Sequence, residues 1–329
     1  MISNFHEKNT RLVRNLAWMV LAYCAVFQSH AQTWPSKPLV FVTAGAPGDG
    51  LDLITRVFAQ SMTKTLGQTI VVDNRPGGGG KISMEYIKNA HSEGYILGIM
   101  SLNNLPLAAV NPKPPYNPST DFIPVALLCD AMGWLVVSAD SPYKSVQDLV
   151  TYAKSNPGKL NFASSGIGSI FHFYGEWLKQ LANIDATHVP YKGEALAMAD
   201  IVSGRVDYMY ASGAAKPFVS TGKLRLLATG GPDRMADFPN NQTMVDAGYP
   251  EFSITGWIGL VAPNGVNPEI IKKLNVAVQA AVADPNVKKT LGTYTFNTLG
   301  GTSEEFAKRI ALDMGRLGKI GKTANIQLD

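Results

Sequence analysis

The chain of 329 residues is 46% hydrophobic and 16% charged, which allows a sizeable buried core and excludes a disordered chain. Its 29 Lys and Arg face 25 Asp and Glu with no basic run of five or six, so nucleic acid is not expected as a partner. At roughly 100–200 residues per domain the length suggests two domains, and beyond the N-terminal segment no apolar stretch approaches the ~20 residues of a membrane span.

Residues 1–31 read as a signal peptide. Lys8, Arg11 and Arg14 precede the apolar run 16–27, and Ser29-His30-Ala31 presents small residues at both positions that a signal peptidase reads. A chain starting at Gln32 keeps Cys129 and loses Cys24, too few cysteines for a disulfide framework or a cysteine zinc site. Cys129 reads as a small buried hydrophobe.

Short β-rich runs then alternate with helical patterns, which predicts α/β layers with largely parallel sheets. Residues 39–42 form a compact strand, the loop 44–50 follows, and Leu53, Ile54, Val57, Phe58, Met62 and Leu66 recur at helical spacing until Gly67. Residues 69–72 and 96–100 are the next strands, separated by a loop at Arg75-Pro76 and Gly77 to Gly80, where four glycines disfavour both helix and strand. Pro112, Pro114, Pro115, Pro118 and Pro124 mark an irregular connection.

A second series begins with a strand at 134–137 and a helix capped by Ser145 with Asp148. Strands at 160–163, 187–191, 206–210 and 224–229 follow. Asn267 with Pro268 opens a helix along Ile270, Ile271, Leu274, Val278 and Ala281, and Thr302 with Glu305 opens the last one.

Several chemistries are excluded by spacing. Gly80-Lys81 is followed by Ile82 and preceded five positions earlier by Arg75, so there is no Walker loop; Gly45, Gly48 and Gly50 do not make a dinucleotide fingerprint; neither G-x-S-x-G nor H-E-x-x-H occurs. No metal site and no cofactor is expected. Ser169 and His172, with Asp207, are the sole material for a secreted hydrolase, and two neighbours on one helical turn are weak grounds for a nucleophile and its base.

What remains are Gly-rich loops between a strand and a helix: Gly48-Asp49-Gly50-Leu51-Asp52 and Ser164-Ser165-Gly166-Ile167-Gly168-Ser169. Glycines let such loops turn N–H groups toward an anion, and the following helix adds its positive end. Either loop alone could be an ordinary strand-to-helix turn.

Over the whole mature length the chain resembles the substrate-binding proteins of tripartite tricarboxylate transporters, the Bordetella-uptake-gene type. The resemblance rests on Trp34-Pro35-Ser36-Lys37-Pro38, Pro47-Gly48-Asp49-Gly50-Leu51-Asp52, Asn74-Arg75-Pro76-Gly77-Gly78-Gly79-Gly80, residues 163–169 with His172, Val189-Pro190-Tyr191-Lys192-Gly193, Gly204-Arg205-Val206-Asp207, Gly222-Lys223-Leu224-Arg225 and Trp257-Ile258-Gly259-Leu260-Val261-Ala262-Pro263. It implies an α/β, type II periplasmic-binding-protein fold: lobe 1 from 32–132 plus 251–329, lobe 2 from 133–250, a ligand cleft between them and hinges near 130–135 and 250–256. It further implies a periplasmic receptor, not an enzyme and expected as a monomer, that takes a small carboxylate or amino-carboxylate to integral membrane transporter subunits; presenting it to a sensor kinase is the alternative.

Carried over by position, the ligand residues are Gly48, Asp49, Gly50 and Asp52 from the first loop and Ser164, Ser165, Gly166, Gly168 and Ser169 from the second. Tyr191, Lys192, Gly193, Ala211 and Ser212 line the far end. Ser169 is expected to donate its hydroxyl to a carboxylate; Lys192 could equally be a solvated charge, Tyr191 and Trp257 could be lobe packing, and His188 reads as structural. The family usually has Gly at Asp49, Thr at Leu51 and often Gly at Glu194. Two added carboxylates either point away from the cleft or meet a ligand that is neutral or carries an amino group.

Overall fold

Among the described residues of the computed structural model, eleven strands, built from the apolar runs that the sequence alternates with polar turns, form two separate sheets. The structure describes residues 34–328 apart from 232, 233, 236, 253 and 254, so the signal-peptide reading of 1–31 lies outside the described residues. The strands are β1 Leu39–Thr43, β2 Ile70–Asn74, β3 Ile96–Ser101, β4 Phe122–Met132, β5 Trp134–Ser138, β6 Leu160–Ser164, β7 Ala186–Pro190, β8 Tyr208–Ala211, β9 Leu224–Thr229, β10 Thr255–Pro263 and β11 Phe296–Gly300. The helices are α1 Gly50–Leu66, α2 Lys81–Lys88, α3 Leu105–Val110, α4 Val146–Ser155, α5 Ile170–Ala182, α6 Glu194–Val202, α7 Lys216–Ser220, α8 Pro268–Ala283, α9 Pro285–Gly292 and α10 Ser303–Thr323.

The first sheet has the order β11-β4-β10-β3-β1-β2 and the second β7-β6-β8-β5-β9. Two of the five pairings in the first sheet and two of the four in the second are parallel, as expected of β-α-β units: β1 pairs β2 and β3, and β6 pairs β7 and β8. The expectation of largely parallel sheets needs correction at the other pairings, where β10 runs antiparallel to β3 and β4, β11 to β4, and β5 to β8 and β9. The cause is the chain path. It leaves the first sheet along β4, which runs in the same direction as β3, enters the second along β5 after Gly133, and returns along β10, so the two strands that enter a sheet from the crossing, β5 and β10, oppose the βα units.

The proline-rich connection also ends earlier than its prolines suggest. Pro124 lies inside β4, opposite Val261 next to a register shift, where the ladder does without the N–H that proline lacks. Ser303 Oγ donates to the Pro124 carbonyl. Cys129, on the same strand, is fully buried.

One continuous apolar cluster joins the two sheets. It runs from Val42 and Met100 of the first through Tyr174, Trp177, Phe252 and Trp257 to Leu135, Phe162 and Tyr210 of the second. Phe252 stacks on Trp177 at 4.6 Å and on Tyr210 at 5.0 Å between ring centroids. Inside this cluster the buried Asp313 on α10 accepts from Trp257 Nε1 at 2.8 Å and pairs with Arg309 at 2.7 Å and Arg316 at 3.2 Å. Among the described residues no helix is long and apolar enough to cross a membrane.

A carboxylate that is 1% exposed and neutralised by two guanidinium groups leaves uncompensated charge when it is removed. Asp313→Ala should therefore lower the unfolding free energy by about 3–5 kcal/mol in urea denaturation. A loss below about 1 kcal/mol would show that water reaches this network.

Candidate functional site

Both Gly-rich loops stand where a strand hands over to a helix, and each hydrogen-bonds largely to itself. In the first, Asp49 caps α1: its Oδ1 accepts from Asp52 N–H at 2.9 Å and its Oδ2 from Ala46 N–H at 2.8 Å. Gly45 is required beneath it, because a Cβ there would lie 2.6 Å from Asp49 Oδ1. Asp52 is buried and holds the loop to the scaffold, accepting from Gly48 N–H at 2.9 Å, Arg56 Nε at 2.9 Å and Asn74 Nδ2 at 2.8 Å. The hydrogen bond from Arg56, helped by those from Gly48 and Asn74, lowers its carboxyl to about 2, so it stays ionised.

In the second loop Ser169 caps α5, accepting from His172 N–H at 3.3 Å while its hydroxyl donates to the Gly166 carbonyl at 2.8 Å. Gly168 N–H donates to His172 Nδ1 at 3.2 Å, and Ser164 Oγ lies 2.7 Å from His188 Nε2. The two imidazoles stack at 3.8 Å, flanked by Phe162. Ser169 thus meets the backbone of His172 and not its ring, so the pair lacks the hydroxyl-to-imidazole contact that a hydrolase needs.

Two cavities open between the sheets and share Asp49, Leu51, Ser101, Asn103, Phe171 and Glu194 in their walls. One, of about 340 Å³, lies against the crossing segments at Met132, Gly133, Gly256 and Trp257; it is called here the crossover cavity. The other, of about 880 Å³, is bounded by Gly77 to Gly80, Lys81 and the second Gly-rich loop, and is called the loop cavity. Of the expected residues, Asp49, Gly50 and Ser212 line the crossover cavity, and Asp49, Ser165, Gly168 and Ser169 line the loop cavity. Gly48, Asp52, Ser164, Gly166, Tyr191, Lys192, Gly193 and Ala211 border neither. Tyr191 bonds Asp200 at 2.7 Å, Lys192 is exposed and Ala211 is buried in β8.

The helix starts supply what the loop side chains do not. Among the described residues the N–H groups of Gly50 and Leu51 on α1, and of Ile170 and Phe171 on α5, have no acceptor, and all four residues line the crossover cavity. Two positive helix ends from different sheets therefore face one space. Residues absent from the sequence expectations complete the walls. Phe171, Tyr174 and Phe296 contribute rings, and Ser101 at the end of β3 and Asn103 just after it contribute polar groups. Asn104 packs so closely on Gly80 that a Cβ there would collide with its amide, which explains one glycine of the four. Glu194, at the start of α6, accepts from Ser212 N–H at 2.6 Å and borders both cavities. Burial raises its carboxyl above the usual range. Among the described residues no cluster of His, Cys, Asp or Glu could hold a metal ion.

Asp49→Ala should lower stability by about 1–2 kcal/mol, seen as a lower thermal midpoint, because it removes a helix cap and the Ala46 bond. A midpoint equal to that of the parent would show that the cap is dispensable. The histidine pair sets an acid limit. Burial holds His172 at about 4, and burial with the nearby His172 and Lys179 holds His188 at about 3, both below 6.5. The folded protein keeps both rings neutral while the unfolded chain protonates below 6.5, so their contribution is complete above that pH and is lost as pH falls toward 4. Urea unfolding at pH 7 and pH 5 should register this, and His188→Gln should remove one ring's share of the slope, up to roughly 1.4 kcal/mol per pH unit.

Comparison with known proteins places this architecture. The model of the tripartite tricarboxylate transporter family receptor matches residues 54–326. A relative from Pseudomonas sp. (strain P51), the protein of the tcbD-tcbE intergenic region, is 34% identical over 87% of this chain and 86% of its own. Among solved structures, an R. palustris protein with adipate superimposes with a TM-score of 0.77 at 29% identity, over 89% of this chain and 99% of that one. MatC from Rhodopseudomonas palustris with bound malate gives 0.74 at 29% identity, over 87% and 99%. Two sheets with a cleft between them, and a family match over most of their length, make one conclusion: the chain belongs to the tripartite tricarboxylate transporter receptor family, with the two-lobed fold of periplasmic binding proteins.

Proposed function

We propose that this protein captures a small organic carboxylate in the periplasm and delivers it to the integral membrane subunits of a tripartite transporter. The observation that carries this reading is the convergence of two helix starts, α1 from the first sheet and α5 from the second, on one cavity. Each offers N–H groups without an internal acceptor, and a carboxylate bridging them completes both. Adipate and malate in the related structures support that ligand class.

On this reading residues 1–31 are removed on export, and the monomer has one lobe from 32–132 with 251–329 and the other from 133–250. The lobes close by bending at the segments that cross between the sheets, since burying a polar solute requires donors from both sides. The capped loop residues Asp49, Asp52, Ser164 and Ser169 hold the helix starts in place, and the ligand meets backbone N–H groups with Ser101, Asn103 and Ser212 around them.

Native mass spectrometry of the protein as purified should reveal a bound small acid. Small-angle scattering should show a smaller radius of gyration when a carboxylate is added. A protein that carries no ligand and binds neither succinate, adipate, malate nor any aryl-substituted carboxylate would overturn this function.

A further inference from the structure

The crossover cavity has an unbalanced set of charges. The ionisable side chains in its wall are Asp49, Glu194 and Tyr174, with no Lys, Arg or His among them. Asp49 is occupied by its own loop, as described above. Glu194 differs: it is bonded by the N–H and the hydroxyl of Ser212 alone, both neutral, and among the described residues no cation pairs with it. Apart from the neutral polar Ser101, Asn103 and Ser212, the side chains of the wall are mostly apolar, with Phe171, Tyr174, Trp257 and Phe296 contributing rings and Leu51 and Met132 filling between them.

A plain dicarboxylate is a poor match for such walls. One carboxylate can sit on the free N–H groups of Gly50, Leu51, Ile170 and Phe171. Within this cavity the second finds no cation: it meets aromatic faces, the neutral Ser101, Asn103 and Ser212, and the Glu194 carboxylate, a like charge in a partly desolvated space. Resting on the reading of the protein as a carboxylate receptor, we infer that its solute is a monocarboxylate with an apolar, ring-sized body and a hydrogen-bond donor, an ammonium or a hydroxyl, that Glu194 accepts. The anion takes the helix starts, the body takes the aromatic wall, and the donor gives the half-buried Glu194 carboxylate a partner beyond Ser212. The raised carboxyl of Glu194 agrees with a group that lacks a cation until ligand arrives. Glu194 is then the specificity-determining residue of the cavity.

A matched series tests this by calorimetry on the full exported chain: phenylalanine, phenyllactate and 3-phenylpropanoate, which differ at one carbon in bearing an ammonium, a hydroxyl or hydrogen, together with succinate and adipate. At least one donor-bearing member should bind about tenfold or more tighter than both 3-phenylpropanoate and adipate. Glu194→Gln keeps an acceptor for Ser212 N–H while removing the charge. It should weaken phenylalanine by about tenfold or more if the donor is an ammonium, change phenyllactate less, and strengthen adipate. Phe296→Ser should weaken every ring-bearing ligand by a larger factor than it weakens succinate; thermal midpoints of both variants confirm folding.

Tight binding of succinate or adipate with no ring-bearing ligand competing would overturn the inference and leave the carboxylate receptor standing. Equal binding of all three ring compounds, or identical affinities in Glu194→Gln, would overturn the role of Glu194. Failure of every carboxylate to bind would overturn the receptor reading itself.

Discussion

A helix cannot satisfy its own first N–H groups, and the whole cleft is organised around how this chain treats that deficit. At α1 and α5 it caps the third turn-opening N–H with a side chain, Asp49 for Asp52 and Ser169 for His172, and leaves the first two uncapped. The result is a pair of donor clusters with fixed direction and no side-chain rotamers to freeze on binding. A side-chain cation would bring charge but also flexibility. Backbone donors bring geometry, and the helix ends add a partial positive charge without a titrating group.

Fixing that direction requires that the loops before the helices be rigid on their own account. Asp52 ties residues of the first loop to β2 through Asn74 and to α1 through Arg56, and the stacked imidazoles of His172 and His188 do the corresponding work beneath the second. Both devices place ionisable groups near the ligand site while holding each in one protonation state, the carboxylate ionised and the rings neutral. The cost appears only in acid. The shared apolar cluster with Asp313 at its centre then sets the two loops against each other, since Trp257 is both a wall of the cavity and the indole that donates to Asp313. Helix α10 also spans the sheets, for the Ile320 carbonyl accepts from Gln180 of α5 at 3.2 Å. Any closing motion has to bend around that contact.

Much of this was legible in the sequence because the strands of the βα units are short, apolar and bounded by Gly or Pro. The strand at 224–229 and the helices opened by Ser145, Asn267 and Thr302 stand where their caps put them. The strands β4 and β11 were not legible. β4 interrupts its apolar pattern with Pro124 and Asp130, and the edge strand β11 is a short, partly exposed run whose pairing is decided entirely by its neighbour β4. At the site the difficulty was of another kind. Asp, Ser and Gly after a strand are the residue types that receive an anion and equally the types that cap a helix, so composition locates the cleft without assigning tasks within it. Phe171, Phe296 and Ser101 carried no signal, because a wall residue is chosen by three-dimensional proximity and not by local pattern.

Glu194 shows how the distinction between capping and recognition is settled by partners. Asp49 and Glu194 are both extra carboxylates near a site for anions, and from sequence they raise the same objection. In the structure Asp49 has two backbone donors of its own loop on two oxygens, a closed arrangement in which the charge is spent on the helix end it caps. Glu194 opens a helix too, but its carboxylate reaches across to a neighbouring strand end, Ser212, and borders both cavities without a cation. Desolvating a carboxylate costs stability unless something compensates it, and the neutral N–H and hydroxyl of Ser212 compensate only in part. A residue kept in that state is retained at a stability cost that only a ligand carrying its own donor repays.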